Sequence, residues 1–393
     1  MPEQNRMKIA FVYDVIYPYV KGGVEKRVWE VAVRLAARGH EVHIFGMKYW
    51  AGADTLVRDG VILHGVCPAR SLYANGKRTV GEALRFAISL IPALVKERFD
   101  IIDCQQFPYL PSFSVKSVCF LRKIPLVITW HEVWGDYWYT YMGRTGLFGK
   151  YIEHIVSRMT PHAIAVSVTT AGQLEKIRPR TRAVVIPNGI DLREIAAISP
   201  AQHQSDLLFA GRLIREKHAD LLIDSFRILL KDHPELSLLI IGEGPEEESL
   251  RARIREKGME GSVRIINFFP RHEDLVAQMK AAKVFVLPST REGFGITALE
   301  ALACGLPVVT VDHPANAVRG LITDKNGFLS SLSAEDLADK IREALVRYEK
   351  MRDECITTAA AFAWDRIAAE SEEYYRLVIG AGKKSIDQKP EDF

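Results

Sequence analysis

The sequence lacks the features of several classes of protein. Its 393 residues include only five cysteines, with no C-x-x-C pair and no histidine at metal-ligand spacing, which argues against a disulfide framework and against a zinc site. No apolar run is long enough to span a bilayer, and the polar N-terminus does not have the pattern of a secretory signal. A formal net charge of +3 is too small by itself to indicate a nucleic-acid binder. We therefore expect a cytoplasmic protein without a zinc site and without a nucleic-acid partner. No cofactor is expected either.

Two series of short apolar runs, alternating with helical patterns, are present instead. The length exceeds what one hydrophobic core usually organises, and 48% of the residues are hydrophobic, which is typical of a globular protein. Such alternation predicts two α/β domains with parallel sheets. The first series of predicted strands is Lys8–Tyr13, Val42–Phe45, Val61–Val66, Ile101–Cys104, Pro125–Thr129 and Ala163–Ser167. The second is Asp206–Ala210, Leu236–Ile241, Val263–Ile266, Val284–Leu287 and Pro307–Val311.

The break between the two series lies at Ile186–Asp191, where proline, asparagine and glycine interrupt the periodicity. After the second series, Trp364–Ile379 carries more apolar residues than a free terminus would keep, so we expect it to pack back on the N-terminal domain. The predicted organisation is an N-terminal domain over 1–190, a linker over 191–205, a C-terminal domain over 206–363, a closing helix over 364–380 and a disordered tail over 381–393.

Residues that directly follow a strand are the first candidates for a site, because ligands of open α/β sheets bind beyond the carboxyl ends of the strands. Gly22 and Gly23 lie between the first predicted strand and a helix predicted over Val24–Arg38. Two glycines let backbone N–H groups approach a ligand, and a helix N-terminus favours an anion or a sugar oxygen. The alternative is an ordinary tight turn.

Arg212 and Lys217 lie in the loop after the predicted strand Asp206–Ala210. An arginine can hold phosphate oxygens with two N–H groups, and a lysine one turn later can add its charge to the same anion. A solvated basic turn is the alternative. Gly242–Glu247 begins like a dinucleotide-binding motif but lacks the third glycine and has glutamates that would repel a pyrophosphate, so we expect only a turn there.

The strongest candidate site lies in Pro288–Gly305. Gly293 and Gly295 free the backbone at a predicted helix start, where N–H groups can bind phosphate. Glu300 follows in an otherwise apolar helix, where a carboxylate needs partners such as vicinal ribose hydroxyls. Glu292 lies on the loop before this helix, at the mouth of the same site. A helix with one solvated glutamate is the alternative, but it leaves the two glycines unexplained.

A histidine and an aromatic residue complete the candidates. His131 ends the strand-like segment Pro125–Trp130 and could bind a phosphate or a sugar hydroxyl or polarise an acceptor, although a lone histidine is more often structural. Phe269 follows the predicted strand Val263–Ile266, near where a nucleotide base would lie, and could stack on that base. Plain core packing is the alternative for Phe269.

Together these residues resemble the retaining glycosyltransferases of family 4, over nearly the whole chain. The most specific element is the E-x7-E segment that runs from Glu292 to Glu300. The supporting matches, in chain order, are Gly22-Gly23, Arg38–Val42, Pro187–Asp191, Gly211-Arg212 with Glu216-Lys217, and Trp364-Asp365. The resemblance implies the GT-B fold, in which two Rossmann-like domains face each other across a cleft and hold the donor between them.

The resemblance also implies roles for the candidates. Arg212 and Lys217 would bind the donor diphosphate and do the work of a metal cation, Glu300 would bind the ribose, and Glu292 would lie by the transferred sugar. Catalytic roles are expected for Glu292, His131, Arg212 and Lys217. The expected donor-binding residues are Gly22, Gly23, Arg212, Lys217, Phe269, Glu292, Phe294, Gly295, Ile296, Thr297 and Glu300. The implied reaction moves a hexose from a UDP- or GDP-sugar to a glycan or lipid-linked acceptor, without a metal and with retention of anomeric configuration.

Two segments depart from the family pattern. His218 stands where the family usually has glycine or asparagine after the Glu-Lys pair, which could alter the loop near the phosphates. His313–Ala317 replaces the usual Gly-Gly-x-x-Glu stretch, which leaves the sugar preference open.

The first half of the chain is expected to hold the acceptor. Aromatic residues crowd the stretch Trp130–Tyr141, and Lys77–Lys96 mixes basic with apolar residues. Both allow a peripheral membrane contact, while an ordinary amphipathic helix packed on the core is the alternative. The rival functions are a protein that binds a nucleotide sugar or glycan without turnover, and a sugar-nucleotide epimerase or a phosphorylase of similar architecture.

Overall fold

The computed structural model describes residues 6–70, 73–74, 77–179 and 182–387, which form two compact α/β units. Unit 1 contains the chain up to Asn188 together with the stretch that begins at Trp364, and unit 2 contains Gly189–Ala363. The expected linker at 191–205 is not a separate segment, because it lies in unit 2 and contains a short helix, Leu192–Ala197, capped by the Asp191 side chain.

The strands and helices are numbered in chain order. The strands are β1 Lys8–Val12, β2 Glu41–Lys48, β3 Thr55–Arg58, β4 Val61–Pro68, β5 Tyr73–Ala74, β6 Lys77–Arg78, β7 Ile101–Gln105, β8 Leu126–Trp130, β9 His162–Ala165, β10 Val184–Val185, β11 Ser205–Ala210, β12 Leu238–Ile241, β13 Val263–Ile266, β14 Ala282–Leu287, β15 Val308–Val311 and β16 Gly327–Ser330. The helices are α1 Gly23–Ala37, α2 Val80–Leu94, α3 Leu110–Arg122, α4 Tyr137–Met142, α5 Gly146–Ser157, α6 Val168–Ile177, α7 Leu192–Ala197, α8 Ala219–Leu229, α9 Glu247–Glu256, α10 His272–Lys280, α11 Ile296–Ala303, α12 Ala334–Ala360 and α13 Trp364–Asp387.

Unit 1 is built on an eight-stranded sheet with the order β10-β9-β8-β7-β1-β2-β4-β3. All neighbouring strands are parallel except the edge pair of β3 and β4. Helices α2, α3 and α5 cover one face and helices α1 and α13 cover the other, so the parallel strands are buried on both sides. The strands that follow β1 in the chain are added on one side of it and those from β7 onward on the other, so the strand order reverses at β1 and β7. The carboxyl ends of these two strands are therefore the expected ligand-binding point.

Helix α13 packs against α1 and closes unit 1. Tyr375 is buried, its ring meets Phe11 edge-on at 6.3 Å, and its hydroxyl donates to Asp103 Oδ2 at 2.6 Å. Burial disfavours the charged form of Glu372, but hydrogen bonds from Arg376, His40 and Arg38 outweigh that effect and lower its pKa to about 2. The helix continues to Asp387, so residues 381–387 of the expected disordered tail are helical, and residues 388–393 lie outside the described part of the chain.

Unit 2 is built on a six-stranded parallel sheet with the order β13-β12-β11-β14-β15-β16. The strand order reverses between the neighbours β11 and β14, because β12 and β13 are added on one side of β11 and β14 to β16 on the other. The loop after β11 carries Arg212 and Lys217, and the loop after β14 carries Glu292. The topology therefore brings the strongest sequence candidates to the point where α/β sheets bind ligands.

Candidate active site

The loop after β11 forms a single helical turn at Arg215–Lys217, and it ends in a left-handed residue. His218 has a φ of 49°, and its Nε2 lies 3.0 Å from the Thr290 hydroxyl on the loop after β14. Glycine and asparagine favour this backbone conformation, and histidine also tolerates it. The histidine therefore keeps the backbone conformation that glycine or asparagine favours, and ties the two loops together. Arg212, on the same loop, is exposed to solvent.

The segment rejected as a dinucleotide-binding motif supports this loop. A Cβ at Gly242 would lie 2.0 Å from the Gly211 carbonyl oxygen, and one at Gly244 would lie 2.2 Å from the Leu213 carbonyl oxygen. The Leu213 N–H donates to the Glu243 carbonyl at 2.8 Å. The two glycines are therefore needed because one backbone packs directly on another.

Lys217 and Glu292 form an ion pair across the two loops, with side chains only 15% and 11% exposed. The backbone of Glu292 is fixed on both sides, because its N–H donates to the Ala315 carbonyl at 3.0 Å and its carbonyl accepts from the Ala317 N–H at 3.0 Å. Asn316, between those two residues, is buried and donates to the Val311 carbonyl at 2.8 Å. The segment that departs from the family pattern thus holds the first glutamate of the E-x7-E motif in place.

Helix α11 begins directly after Gly295, which has a φ of 88°. A Cβ at Gly295 would lie 2.1 Å from Val318 Cγ2, so both the backbone conformation and the packing require glycine. Ile296 and Thr297, which are half-buried, form the first turn, where backbone N–H groups have no partner inside the helix. The Phe294 ring is instead buried and meets Phe362 edge-on at 5.9 Å, which leaves its backbone as the part that can reach a ligand.

Glu300 is 4% exposed, and its Oε1 accepts a hydrogen bond from His272 Nε2 at 2.7 Å. His272 is the first residue of α10, directly after the segment that contains Phe268 and Phe269. Phe268 is 42% exposed and Phe269 is half-buried. Sequence reasoning missed His272, although its place at a helix start just beyond a predicted strand was a usable signal.

The candidates in unit 1 belong to a separate group of residues. Helix α1 begins at Gly23 after an extended Gly22, and the buried Glu25 carboxylate lies beside Gly22. A carboxylate at this helix start disfavours a second anion and leaves sugar hydroxyls as the better ligand. Unit 2 brings Arg212, Lys217, Glu292, Gly295 and Glu300 onto loops and a helix around β11 and β14, whereas Gly22, Gly23 and His131 belong to unit 1.

His131 lies at the end of a buried hydrogen-bonded chain. Its Nε2 is 2.7 Å from Gln105 Oε1, Gln105 Nε2 donates to Asp103 Oδ1 at 3.2 Å, and Asp103 accepts from Tyr375. Gln105 donates with its nitrogen, so its oxygen must accept the proton of His131 Nε2, which leaves His131 Nδ1 as an acceptor. Burial, followed by the charge of Arg27, lowers the pKa of His131 to about 3. The imidazole is therefore neutral near pH 7 and suited to accept a hydrogen bond from a hydroxyl.

One group of potential metal ligands occurs among the described residues. Atoms of His43, His64 and Glu97 lie within 4.8 Å of one another, and sequence spacing did not reveal them because they come from distant positions. His43 Nδ1 lies 2.8 Å from His64 Nε2, while the Lys8 ammonium pairs with Glu97 and lies 2.7 Å from Glu41 Oε1. Burial, followed by the nearby His43, lowers the pKa of His64 to about 4. The Lys8 ammonium already balances the charge of Glu41 and Glu97. The arrangement is therefore better explained as two neutral histidines in contact than as a metal centre.

Two family models match the chain, one in each half. The model described as "Glycosyltransferase Family 4" matches residues 21–194, and the model described as "Glycosyl transferases group 1" matches residues 193–362. The two matches meet close to the boundary between the structural units.

Among curated proteins, the chain is similar to a GDP-mannose-dependent alpha-(1-6)-phosphatidylinositol dimannoside mannosyltransferase of Mycobacterium tuberculosis. The two share 33% identity over 88% of this chain and 91% of the relative. It is also similar to a glycogen synthase of Mycobacterium tuberculosis, with 26% identity over 77% of this chain and 78% of that protein.

Solved structures share the arrangement of strands and helices. Sucrose-phosphate synthase of Thermosynechococcus elongatus aligns with a TM-score of 0.78 at 20% identity, over 96% of this chain and all of that one. HepE of Anabaena, solved in complex with UDP and glucose, aligns with a TM-score of 0.70 at 19% identity, over 94% of this chain and 99% of that one. At these identities the likeness concerns the fold, and it agrees with the two Rossmann-like domains expected from the sequence.

Proposed function

Because the chain belongs to glycosyltransferase family 4 and has the GT-B fold, we propose that it moves a hexose from a nucleoside-diphosphate sugar to a lipid-linked acceptor, with retention of anomeric configuration and without a metal. The observation that carries the proposal is the Lys217–Glu292 ion pair beside the start of α11, where the strand order reverses between β11 and β14. Cations, a carboxylate and helix N–H groups at one sheet edge are the groups that a sugar diphosphate needs.

The diphosphate is bound by Arg212, Lys217 and the N–H groups of the first turn of α11. Negative charge on the leaving diphosphate grows as the glycosidic bond breaks, so fixed cations stabilise the transition state more than the ground state. The incoming diphosphate competes with Glu292 for Lys217. That competition frees the Glu292 carboxylate to accept hydrogen bonds from hydroxyls of the transferred sugar.

The nucleoside is bound through Glu300. His272 donates to one carboxylate oxygen of Glu300, and the other oxygen accepts from the ribose hydroxyls. Phe269, which is half-buried beside the start of α10, stacks on the base.

The chemical step takes place on one face of the sugar. The bond between the anomeric carbon and the diphosphate oxygen breaks, the acceptor oxygen bonds to the same carbon from the same side, and the acceptor proton passes to the leaving phosphate oxygen. No covalent enzyme intermediate is needed. The Nδ1 atom of His131 accepts a hydrogen bond from a sugar hydroxyl. Gln105 binds the other ring nitrogen and so holds the imidazole in the required orientation.

GDP-mannose is the first donor to test, because the mycobacterial relative is named as a GDP-mannose-dependent enzyme and is similar over 88% of this chain. The same name contains phosphatidylinositol dimannoside, a mannosylated lipid, which supports a lipid-linked acceptor here. UDP-glucose is the second donor to test, because HepE was also solved in complex with it.

The test is a panel of GDP-, UDP- and ADP-sugars, incubated with the full chain and EDTA, with and without a membrane lipid extract. We expect nucleotide release from one donor, stimulated by the extract, and transfer of its sugar to lipid with retained configuration. Release without a transferred product would favour hydrolysis or epimerisation, and no release from any donor would reject the proposal. The variant Arg215→Ala is a suitable control, because Arg215 is an exposed cation on the Lys217 loop.

A further inference from the structure

Helix α2 is apolar on both faces. Its inner face packs Phe86, Leu90 and Leu94 into the core of unit 1. Its outer face carries a second apolar row at helical spacing, formed by Val80 (65% exposed), Leu84 (49%), Ile88 (61%) and Ile91 (43%). A surface helix normally places charged or polar residues on its outer face, so this row is unusual for a helix that only covers a core.

Helix α3, which packs beside α2, continues the apolar surface. Near its end Phe120 is 77% exposed and Leu121 is 75% exposed, and they are followed by the exposed Arg122 and Lys123. Arg122 Nη2 donates to the Val95 carbonyl at 2.7 Å, so the ends of α2 and α3 meet. The junction is called the basic–apolar end and consists of Ile91, Lys96, Arg98, Phe120, Leu121, Arg122 and Lys123.

Helices α4 and α5 add further exposed apolar side chains on the same face of the sheet. Glu153 on α5 accepts from the Tyr109 hydroxyl, at the start of α3, at 2.7 Å, which joins this region to α3. The exposed residues are Tyr139, Met142, Leu147, Phe148 and Tyr151, with the exposed Arg144 among them. Exposed apolar side chains concentrated on one face of a unit indicate an interaction surface.

We propose that the outer face formed by α2, α3, α4 and α5 docks on an anionic lipid bilayer, with the basic–apolar end in contact with the headgroups. Apolar and aromatic side chains flanked by lysine and arginine are typical of surfaces that lie in the membrane interface. A symmetric pair of chains joined at this end would instead bring its cations close to their copies, which is unfavourable.

None of the described helices is both long and apolar enough to cross a bilayer. The inference rests on the proposed function for its lipid-linked acceptor, whereas the surface itself is argued from exposure and charge.

The test is sedimentation of the full chain with vesicles of phosphatidylcholine alone and with vesicles of equimolar phosphatidylcholine and phosphatidylglycerol. We expect binding to the second kind only, weakened by added salt because the headgroup charge is screened. The double variant Phe120→Ser with Leu121→Ser should lower the partition coefficient by at least about tenfold, since two apolar side chains no longer enter the interface. Lys123→Glu should lower it by about fivefold or more.

A matched control variant is available on the opposite face of the same unit. Leu377 on α13 is 64% exposed, and Leu377→Ser should leave vesicle binding unchanged. All the substituted side chains are exposed, so the variants should keep the thermal unfolding midpoint of the wild type.

Two results would overturn the proposal. One is a wild-type chain that binds anionic vesicles no better than neutral ones. The other is concentration-dependent self-association that is lost in the Phe120/Leu121 variant, because a second copy would then be the partner.

Binding of GDP and UDP is measured on the same samples. Vesicle binding without nucleotide binding would refute the proposed function and leave the docking surface intact, whereas nucleotide binding without vesicle binding would do the reverse.

Discussion

The two sheet edges that carry the candidate residues differ in their chemistry. In unit 2 the groups are charged and are held by other ionisable groups, Lys217 by Glu292 and Glu300 by His272. In unit 1 the side chain that follows β8 is His131, whose imidazole is neutral. Hydrogen bonds connect His131 to Gln105 and Gln105 to Asp103. Fixed cations suit an anionic ligand and a neutral acceptor nitrogen suits a hydroxyl, which is the division of roles proposed above for the diphosphate and the sugar.

The largest effect is expected from Lys217→Ala, which removes a cation from the charged sheet edge of unit 2. Removal of one fixed cation from a developing diphosphate charge should lower kcat/KM for the donor by about a hundredfold or more. Steady-state kinetics at saturating acceptor measure it. Arg215→Ala on the same loop should change kcat/KM by less than about threefold, and an equal loss in both variants would mean that only the net charge of the loop matters.

The two glutamates are expected to separate binding from turnover. Glu300→Ala should raise the donor KM by about tenfold to a hundredfold, because ribose hydroxyls lose a buried acceptor. Glu292→Ala should mainly lower kcat. His272→Ala should reproduce a weaker form of the Glu300 defect, since Glu300 loses a hydrogen bond but keeps its carboxylate. Unchanged kinetics in both glutamate variants would reject the site assignment.

On the neutral side, His131→Ala should lower acceptor-dependent kcat/KM by about tenfold or more. The pKa of His131 is about 3, so the imidazole is not protonated between pH 5 and 8, and its contribution should be constant over that range. Gln105→Leu should produce a similar loss, because the ring is no longer oriented. A pH profile of the wild type that shows an acidic limb near pH 6.5, abolished in His131→Ala, would contradict the neutral assignment.

The smallest effect concerns stability of unit 1 in acid. The pKa of Glu372 is about 2 in the folded chain against an ordinary value of 4.5, so its contribution to stability is present above pH 4.5 and is lost as the pH falls toward 2. Glu372→Gln should therefore be less stable than the wild type at pH 7, with the difference shrinking between pH 4.5 and 2. Thermal unfolding followed by circular dichroism measures it, and a constant difference would exclude the linkage.

Most of the architecture could be predicted because it depends on burial. Strands such as Leu238–Ile241 and Val308–Val311 are wholly buried, and strands buried on both faces have nearly continuous apolar sequences. Five strands were missed, for three reasons. Thr55–Arg58 is an edge strand with mostly exposed residues. Tyr73–Ala74, Lys77–Arg78 and Val184–Val185 have only two residues each, too few for a periodic pattern. Gly327–Ser330 begins with a glycine after asparagine, which favours a turn.

The candidate site was predicted in part, and the missed residues share a cause. Motif residues such as Glu292 and Glu300 can be identified from their local pattern. His272 and Gln105 contact residues 28 and 26 positions away, and no local pattern records those contacts. The place of His272 just beyond a predicted strand marks it as a candidate but does not reveal its partner. The role of Asn316 likewise depends on the β-bridge between it and Glu292. Long-range pairings of this kind are decided by the topology of the sheets rather than by local sequence.

The most direct test of metal-independent diphosphate binding by Lys217 is a calorimetric titration of GDP and UDP into the full chain and into Lys217→Ala, with EDTA present throughout. We expect one of these nucleotides to bind the wild type without metal and to bind the variant at least about tenfold more weakly, because a cation beside the diphosphate has been removed. Equal affinity for both chains, or wild-type binding that requires added metal, would contradict this expectation.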